Sequence, residues 1–503
     1  MKRWILPVVF VLLFALAGRG QAPDEKKLDA VVAEALKTFD APGAAMVIVH
    51  EDKVVYLKGA GVRELGAADA VTPDTVFQIA SCTKAFLAML IAMLTGEGIM
   101  DWDDPVNKHV PYFRLSDPSA DQNVTIRDLL CHRTGLSRHD LLWYKSPLEP
   151  EEVIRRIGHV KATTSFRSTW EYANIPFLTA GTAAALADKR PLAESFKRRI
   201  FEPLGMKSAG AGAGDFLKAE NRAGGCRSDT KGKLELVAPL IYDSRGAGDI
   251  SASARDLGQW LRFQLGDGTW AGKRLVPAKH FRETHAPQMV VKLTDTMREN
   301  YPDVNQLSYG LGWFIQDYQG QHVLSHGGSK PGFRTQTVLV PKARLGVVVL
   351  TNRNPSFLSE AVTKTVIDRY LGLPEKDWNA YYVKLDNKQQ ANKKKKESDI
   401  KAQRLADTKP SRELKAYAGA YRHPAYGQAV ISAGKDGLSI QWSSFQLSLE
   451  HWHHDTFRNI APGEYVLEGE FLVFNFEADG SIRSFRWLGQ EFVRQNATKK
   501  PAA

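Results

Sequence analysis

The stretch that decides the fold is Gln78-Ile-Ala-Ser-Cys-Thr-Lys-Ala-Phe-Leu-Ala-Met-Leu90. Its second half is strongly apolar and predicts a buried helix, with Ser81 at its start and Lys84 one turn later. Side chains three residues apart lie on one face of a helix, so the hydroxyl and the amine are neighbours. By itself the pattern is common, and Ser81 would serve equally well as a structural helix cap.

A serine beside a lysine also has a chemical use. A serine hydroxyl is a poor nucleophile at neutral pH, but a lysine amine in a dehydrated pocket can have its pKa lowered enough to take the hydroxyl proton. The backbone N–H groups at the helix N-terminus lie near the oxygen that becomes negative during acyl transfer. The spacing therefore makes Ser81 a candidate nucleophile and Lys84 a candidate base.

Two later motifs strengthen this interpretation. Trp170-Glu-Tyr-Ala-Asn174 supplies a phenol, Tyr172, that can move a proton, and an amide, Asn174, that can bond both Lys84 and a substrate carbonyl. Leu324-Ser-His-Gly-Gly-Ser-Lys-Pro-Gly332 is typical of a strand edge without bulky side chains after its histidine. Glycine there lets a backbone amide approach a substrate, and we expect the Ser329 amide to pair with that of Ser81 as an oxyanion hole.

The ordered triple Ser81-x-x-Lys84, Tyr172-x-Asn174 and His326-x-Gly328 resembles the three motifs of class C β-lactamases, DD-peptidases and related esterases. The resemblance covers roughly residues 27 to 375. It implies an acyl-enzyme on Ser81, acid and base work shared by Lys84 and Tyr172, and substrate binding by Asn174, His326, Gly328 and Ser329. Four further segments also resemble segments common in this group: Val124–Leu136, Phe201–Met206, Ala247–Leu257 and Tyr309–Trp313.

His326 departs from the pattern, because β-lactamases usually carry a lysine there. An unperturbed histidine has a pKa of about 6.5 and is largely neutral at pH 7, so it holds a carboxylate less firmly than a lysine does. This favours peptidase or esterase chemistry over efficient β-lactam hydrolysis. Arg334 is either an alternative carboxylate receptor or a solvated strand residue.

The hydropathy pattern predicts an α/β (α+β) fold. Near each end of the region lie two strand-like runs and a helix, which suggests one sheet with helices packed on it and a long inserted segment at roughly 100–300. The resemblance implies that the sheet is mostly antiparallel and that the insertion is largely helical. The runs are 44–49, 54–57, 336–340 and 346–350, and the helices are 26–39 and 358–370.

Four segments follow from composition. Residues 1–22 have the form of a signal peptide, with a basic start, an apolar run and the cleavage pattern Ala15-Leu16-Ala17, so we expect a periplasmic or secreted protein. Residues 23–380 form the predicted hydrolase domain, and 381–410 form a charged, partly helical linker. Residues 411–496 alternate like strands around Asp479-Gly480 and predict a small all-β barrel or sandwich, which loosely resembles a lipocalin-like domain.

The composition is that of a globular protein, with 43% hydrophobic and 24% charged residues among 503. A net charge of +11 would suit a nucleic-acid partner if it were clustered on a folded face. Instead, eight basic and four acidic residues lie in 385–409, and further basic residues lie at the chain ends. We predict no nucleic-acid partner, and only transient contact of the linker with an anionic cell envelope.

No cofactor and no metal are predicted. His451-Trp-His-His-Asp455 is either a metal cluster or a polar turn, and the lack of a helical histidine pair favours the turn. His132 and His139, near Asp140, are interpreted as structural or surface groups around the insertion. The three cysteines allow at most one disulfide, and buried free thiols are the simpler interpretation.

We therefore expect an exported serine hydrolase that acts on a small-molecule or peptide substrate, an amide or ester such as a D-amino-acid peptide, a peptidoglycan-like peptide or a carboxylic ester. Two alternatives stay open. One is a class C-type β-lactamase, and the other is a non-hydrolytic protein that binds penicillin or cell-wall peptides.

Overall fold

The computed structural model describes residues 24–229, 231–435, 437–460, 467 and 469–495, so the predicted signal peptide lies outside the described residues. Within that part of the chain, every helix is too short or too polar to cross a membrane. The strands are β1 Gly43–His50, β2 Lys53–Gly61, β3 Val76–Gln78, β4 Cys226–Ser228, β5 Leu234–Leu236, β6 Ser251–Ser253, β7 Thr269–Trp270, β8 Lys273–Arg274, β9 Met289–Val290, β10 Val304–Tyr309, β11 Phe314–Tyr318, β12 Gln321–Lys330, β13 Phe333–Val340, β14 Leu345–Thr351, β15 Gly419–His423, β16 Gly427–Gly434, β17 Gly437–Trp442, β18 Phe445–His453, β19 Thr456–Asn459, β20 Phe471–Phe476, β21 Ile482–Trp487 and β22 Gln490–Arg494.

The helices frame these strands. They are α1 Glu25–Thr38, α2 Thr83–Gly96, α3 Val106–His109, α4 Pro118–Asn123, α5 Ile126–Leu130, α6 Pro150–Ile157, α7 Asn174–Asp188, α8 Leu192–Phe196, α9 Glu202–Leu204, α10 Asp215–Lys218, α11 Ala254–Leu265, α12 Ala278–Thr284, α13 Asp295–Asn300, α14 Leu358–Leu371, α15 Trp378–Ala402 and α16 Leu414–Tyr417.

The main sheet is antiparallel and has the order β2-β1-β14-β13-β12-β11-β10-β9. Its strands come from both ends of the region, as the sequence predicts. In the structure β1 pairs with β14 from Ala44↔Thr351 to His50↔Leu345. Both strands are apolar and buried almost throughout, because α11 packs on β1 and β14 and α14 packs on β13 and β14. The predicted antiparallel sheet flanked by helices is confirmed.

Between residues 100 and 300 the chain is largely helical, as predicted, and α2 lies just before this insertion. Apart from its C-terminal glycine, every residue of α2 from Thr83 to Thr95 is buried. A helix that is apolar all round is stable only inside a core. The first turn of α2 is thereby held within the core, and the turn that precedes it packs on β12 and β13.

The C-terminal region is a closed eight-stranded barrel, β15 to β22, in which each strand pairs with the next and β15 pairs with β22. The Asp479-Gly480 dipeptide turns the chain between β20 and β21, as predicted. Large aromatic side chains fill the barrel: Tyr417, Tyr421, Trp442, Phe457, Phe474, Phe485, Trp487 and Phe492.

One helix, α15, occupies most of the predicted linker and begins before it. Its first turns bury Trp378, Tyr382 and Leu385, which explains why the helix starts inside the predicted hydrolase domain. Lys393–Lys396 are exposed, in keeping with a solvated, charged segment. Near the end of the helix, Glu397 pairs with Arg458 of the barrel at 2.7 Å.

Candidate active site

Ser81 lies on a short 3₁₀ turn, Ala80–Cys82, between β3 and α2. Ala80, immediately before it, has a φ of +48°, a left-handed conformation that non-glycine residues rarely adopt and that is frequent at functional sites. The turn leaves Ser81 partly exposed while its neighbours are buried. Ser81 is therefore the side chain that this turn presents to a ligand.

Lys84 is fully buried, and its amine is surrounded by acceptors. Its Nζ donates to Asn174 Oδ1 at 2.8 Å and to the Ala247 carbonyl at 2.6 Å, and it lies 3.2 Å from Ser81 Oγ. Burial, assisted by the nearby Arg138 guanidinium, lowers the pKa of Lys84 to about 7. A neutral amine has two N–H groups and one lone pair, so the two acceptors take the N–H groups and the lone pair is directed to Ser81.

Tyr172 lies on the other side of the nucleophile. Its hydroxyl donates to Ser81 Oγ at 2.8 Å, and burial raises the pKa of Tyr172 to about 12, so the phenol keeps its proton near neutral pH. The structure thus places an available base, Lys84, and an available acid, Tyr172, on one hydroxyl.

His132 fixes the backbone on both sides of Tyr172. Its carbonyl accepts from Glu171 N at 2.9 Å, and its Nδ1 accepts from Ala173 N at 3.2 Å. The imidazole also lies 4.4 Å from the Tyr172 ring, and burial holds the pKa of His132 well below its usual value. His132 is a neutral structural group, as the sequence suggested, but it is placed directly behind the active site.

Asn174 begins α7 and connects Lys84 to a carboxylate. While its Oδ1 faces Lys84, its Nδ2 donates to Asp140 Oδ1 at 2.9 Å. Asp140 is in turn bound by Trp143 Nε1 at 3.0 Å and Arg138 Nε at 2.7 Å. Since a carboxylate only accepts, Asp140 fixes the amide orientation in which oxygen faces the lysine.

Strand β12 reaches the nucleophile at its glycines. A Cβ on Gly328 would lie 2.0 Å from the Ile79 carbonyl oxygen, so only glycine allows β12 to pack on the turn that carries Ser81. Ser329 follows directly, and its hydroxyl accepts from Asn354 Nδ2 at 3.0 Å. This close approach places the β12 backbone beside the turn that carries Ser81.

His326 is buried, and its ring is engaged on both sides. Nδ1 lies 2.8 Å from the Gly327 carbonyl and Nε2 lies 3.0 Å from the Tyr309 hydroxyl, so Nδ1 carries the hydrogen and Nε2 accepts. Burial lowers the pKa of His326 to about 3, which keeps the ring neutral. Arg334 also has a partner within the protein, because its guanidinium forms an ion pair with Glu360.

Three features of this cluster were missed by sequence reasoning: the Asp140 carboxylate, the Ala247 carbonyl and the placement of His132. A backbone carbonyl leaves no signal in side-chain chemistry, and Asp140 belongs to no motif quoted above. His132 and Ala247 both lie in segments that resemble those of related hydrolases, and this resemblance could have pointed to them.

The cysteines and the histidine-rich segment are the remaining candidates from the sequence. The three cysteines are free and buried, and burial raises the pKa of Cys82, next to the nucleophile, to about 12. No group of three or more potential metal ligands exists among the described residues. In the His451-Asp455 segment, His451 Nε2 bonds the His454 carbonyl at 2.8 Å, as expected of a polar turn.

The sheet, the helical insertion and the cluster around Ser81 together define a hydrolase of the β-lactamase fold class. Residues 28–371 match the family model described as Beta-lactamase, and the chain belongs to that family. Residues 403–499 match a second family, described as a domain of unknown function, DUF3471.

Of three similar proteins, two carry hydrolase names and one is named as a penicillin-binding protein homologue. The unguisins hydrolase ungD' of Aspergillus campestris is 28% identical over 443 residues, which are 81% of this chain and 78% of that protein. The octameric penicillin-binding protein homologue from Pyrococcus abyssi has a TM-score of 0.61 at 21% identity and covers 93% of this chain and 99% of its own. A D-stereospecific amidohydrolase from Streptomyces sp. has a TM-score of 0.56 at 21% identity and covers 69% of this chain and 98% of its own.

Proposed function

We propose that this chain is an exported serine hydrolase that forms an acyl-enzyme on Ser81 with amide or ester substrates. The observation that carries the proposal is the Lys84 amine, which is buried, has both N–H groups engaged and lies 3.2 Å from Ser81 Oγ. A lysine in these surroundings is a base at neutral pH rather than a structural cation.

In the proposed acylation, Ser81 Oγ attacks the substrate carbonyl carbon and its proton passes to Lys84. The Ser81 and Ser329 amides bind the oxyanion, and Tyr172 gives a proton to the departing amine or alkoxide. Lys84 then returns that proton to the Tyr172 phenolate, which is its neighbour, since Lys84 Nζ lies 5.0 Å from the centre of the Tyr172 ring. In deacylation a water molecule attacks the ester, its proton goes to Lys84, and Ser81 regains a proton as the acid product leaves.

Peptides or amides containing D-amino acids are the proposed substrate class, with esters as the simpler assay substrates. This choice is supported by the hydrolase relative and by the fold shared with a D-stereospecific amidohydrolase. A β-lactamase is less well supported, because neutral His326 and paired Arg334 offer no free cation at the positions considered for a substrate carboxylate. Export rests on the residue 1–22 pattern and is tested by sequencing the mature N-terminus.

Ser81→Ala is expected to abolish turnover of a p-nitrophenyl ester and labelling by a fluorophosphonate, with the adduct on the wild type located by mass spectrometry. Cys82→Ala is the matched control and should keep the label, because its thiol is buried and protonated. Undiminished labelling of the Ser81→Ala protein would refute the assignment. Rapid nitrocefin turnover would favour the β-lactamase, and a stable stoichiometric adduct without turnover would favour the binding protein.

A further inference from the structure

The C-terminal barrel touches the hydrolase domain beside the active site. The Tyr426 hydroxyl lies 2.9 Å from His139 Nδ1, and Ser444 Oγ donates to the Lys145 carbonyl at 2.5 Å. Both contacts fall on segment 138–145, which we call the support loop. The same loop supplies Arg138, Asp140 and Trp143 to the network around Asn174.

Tyr426 is a rigid point on the barrel. Its side chain is buried, its backbone N donates to His423 Nδ1 at 3.1 Å, and its carbonyl accepts from Trp442 Nε1 at 2.8 Å. Its ring also stacks on Trp442, with centroids 5.9 Å apart. The hydroxyl is therefore presented to His139 from a fixed position.

His139 needs such a constraint. It has a φ of +42°, a left-handed conformation that a non-glycine residue keeps only when its surroundings enforce it. One ring nitrogen lies 3.0 Å from Oγ of Ser137, the residue just before the support loop, and the other bonds Tyr426. The next residue is Asp140, whose carboxylate fixes the Asn174 amide that binds Lys84.

We propose that the barrel positions the catalytic lysine: Tyr426 holds His139 and thereby sets the place of Asp140, Asn174 and Lys84. Tyr426 and His139 are positioning residues in this assignment, since neither touches the reacting atoms. The inference rests on the function proposed above, and it gives the domain of unknown function a role in catalysis. These two contacts between barrel and support loop should therefore differ in their effect on catalysis. Tyr426 bonds His139, the residue next to Asp140, whereas Ser444 bonds Lys145.

The test compares Tyr426→Phe with Ser444→Ala in the full-length protein. Each variant removes one hydroxyl from the same interface, but Ser444 bonds a carbonyl five residues beyond Asp140. For Tyr426→Phe we expect kcat for a p-nitrophenyl ester to fall about threefold to tenfold at unchanged KM, the rate equivalent of one hydrogen bond. Ser444→Ala should keep the wild-type kcat, and a double variant Tyr426→Phe, His139→Ala should lose little more than the single variants.

Hydrogen exchange supplies a readout independent of activity. Amides of residues 138–145 and 173–175 are expected to exchange faster in Tyr426→Phe than in Ser444→Ala or the wild type. An unchanged kcat and unchanged exchange in Tyr426→Phe, or equal losses in both variants, would overturn the inference. If Tyr426→Phe fails to fold, His139→Ala is measured instead, and we expect the same fall in kcat and the same faster exchange. Absence of fluorophosphonate labelling in the wild type would instead defeat the proposed function, and the exchange data would still decide whether Tyr426 orders the support loop.

Discussion

Two buried ionisable groups in the hydrolase domain have opposite surroundings. Asp128 at the start of α5 is fully buried and is bound by Arg133 at 2.5 Å and Arg167 at 2.7 Å. It also caps its own helix through Thr125, and these partners hold the pKa of Asp128 below its usual value. Lys84 is equally buried, but its amine bonds uncharged groups: Ser81 Oγ, Asn174 Oδ1 and the Ala247 carbonyl.

The difference concerns charge: Asp128 stabilises the fold as a charged group, whereas the role proposed for Lys84 requires an uncharged amine. Asp128 keeps its charge because opposite charges and hydrogen bonds replace its hydration. Lys84 is surrounded by neutral acceptors and by the positive Arg138, so burial lowers its pKa to about 7 and the amine is neutral for much of the physiological range. In the proposed mechanism, burial of an ionisable group therefore serves stability at Asp128 and reactivity at Lys84.

The largest effect is expected at Lys84. Lys84→Met should lower kcat/KM for a p-nitrophenyl ester by roughly 10³-fold, within the range for loss of a general base. The melting temperature should stay the same or rise, because a poorly compensated buried amine is replaced by an apolar chain of similar length. A strongly destabilised Lys84→Met protein would assign this lysine a structural role.

At Asp128 we expect a loss of stability without a loss of activity. Asp128→Ala removes the acceptor of two arginines and a capping box, and we expect the free energy of unfolding to fall by about 3 kcal/mol. Because Asp128 does not contact the Ser81 cluster, kcat measured well below the melting temperature should be unchanged. Urea denaturation and the ester assay together check both halves, and Asp103→Ala, which removes a more exposed partner of Arg127, is the milder control.

A smaller effect is expected behind Tyr172. His132→Phe removes the acceptor for Ala173 N but keeps a planar ring, and we expect kcat to fall by about tenfold, since an unsatisfied buried N–H costs about 1–3 kcal/mol. His132→Asn retains an acceptor near the position of Nδ1 and should recover part of the loss. Equal kcat in both variants would show that the bond to Ala173 does not position Tyr172.

The smallest effect concerns pH. Below the Lys84 pKa the amine is protonated and has no lone pair for the Ser81 proton, so kcat/KM should fall about tenfold per pH unit below about 7 and level off above it. Arg138→Gln removes a positive neighbour that lowers this pKa, and the acid limb should therefore move to higher pH. A limb that stays in place would mean that burial alone sets the pKa.

The parts of the site that are local in sequence were predictable, and the parts that depend on tertiary contacts were not. Ser81 and Lys84 share one helical turn, and Tyr172 and Asn174 share one short motif, so their spacing carries chemical information. Asp140 reaches Asn174 only because the support loop is folded against α7, and the Ala247 carbonyl reaches Lys84 from a segment 163 residues away in the chain.

The fold shows the same division. The long apolar runs of β1 and β14 were visible in the sequence, and their pairing followed from two hairpins placed at opposite ends of the region. Strands of two or three residues such as β7 and β8 have too little alternation to be recognised. Closure of the barrel depends on β15 meeting β22 across more than sixty residues, which no local pattern specifies.

The central claim is that Lys84 is a neutral base, and its titration is the most direct test. An NMR titration of protein labelled with ¹³C at lysine Cε, with Lys84→Met used to assign the resonance, reports the pKa of this amine alone. We predict a midpoint near 7 for Lys84, well below the value of about 10.4 for lysine in model peptides. A Lys84 midpoint at or above 10 would contradict the account, because the amine would then carry a proton at the pH at which Ser81 has to lose one.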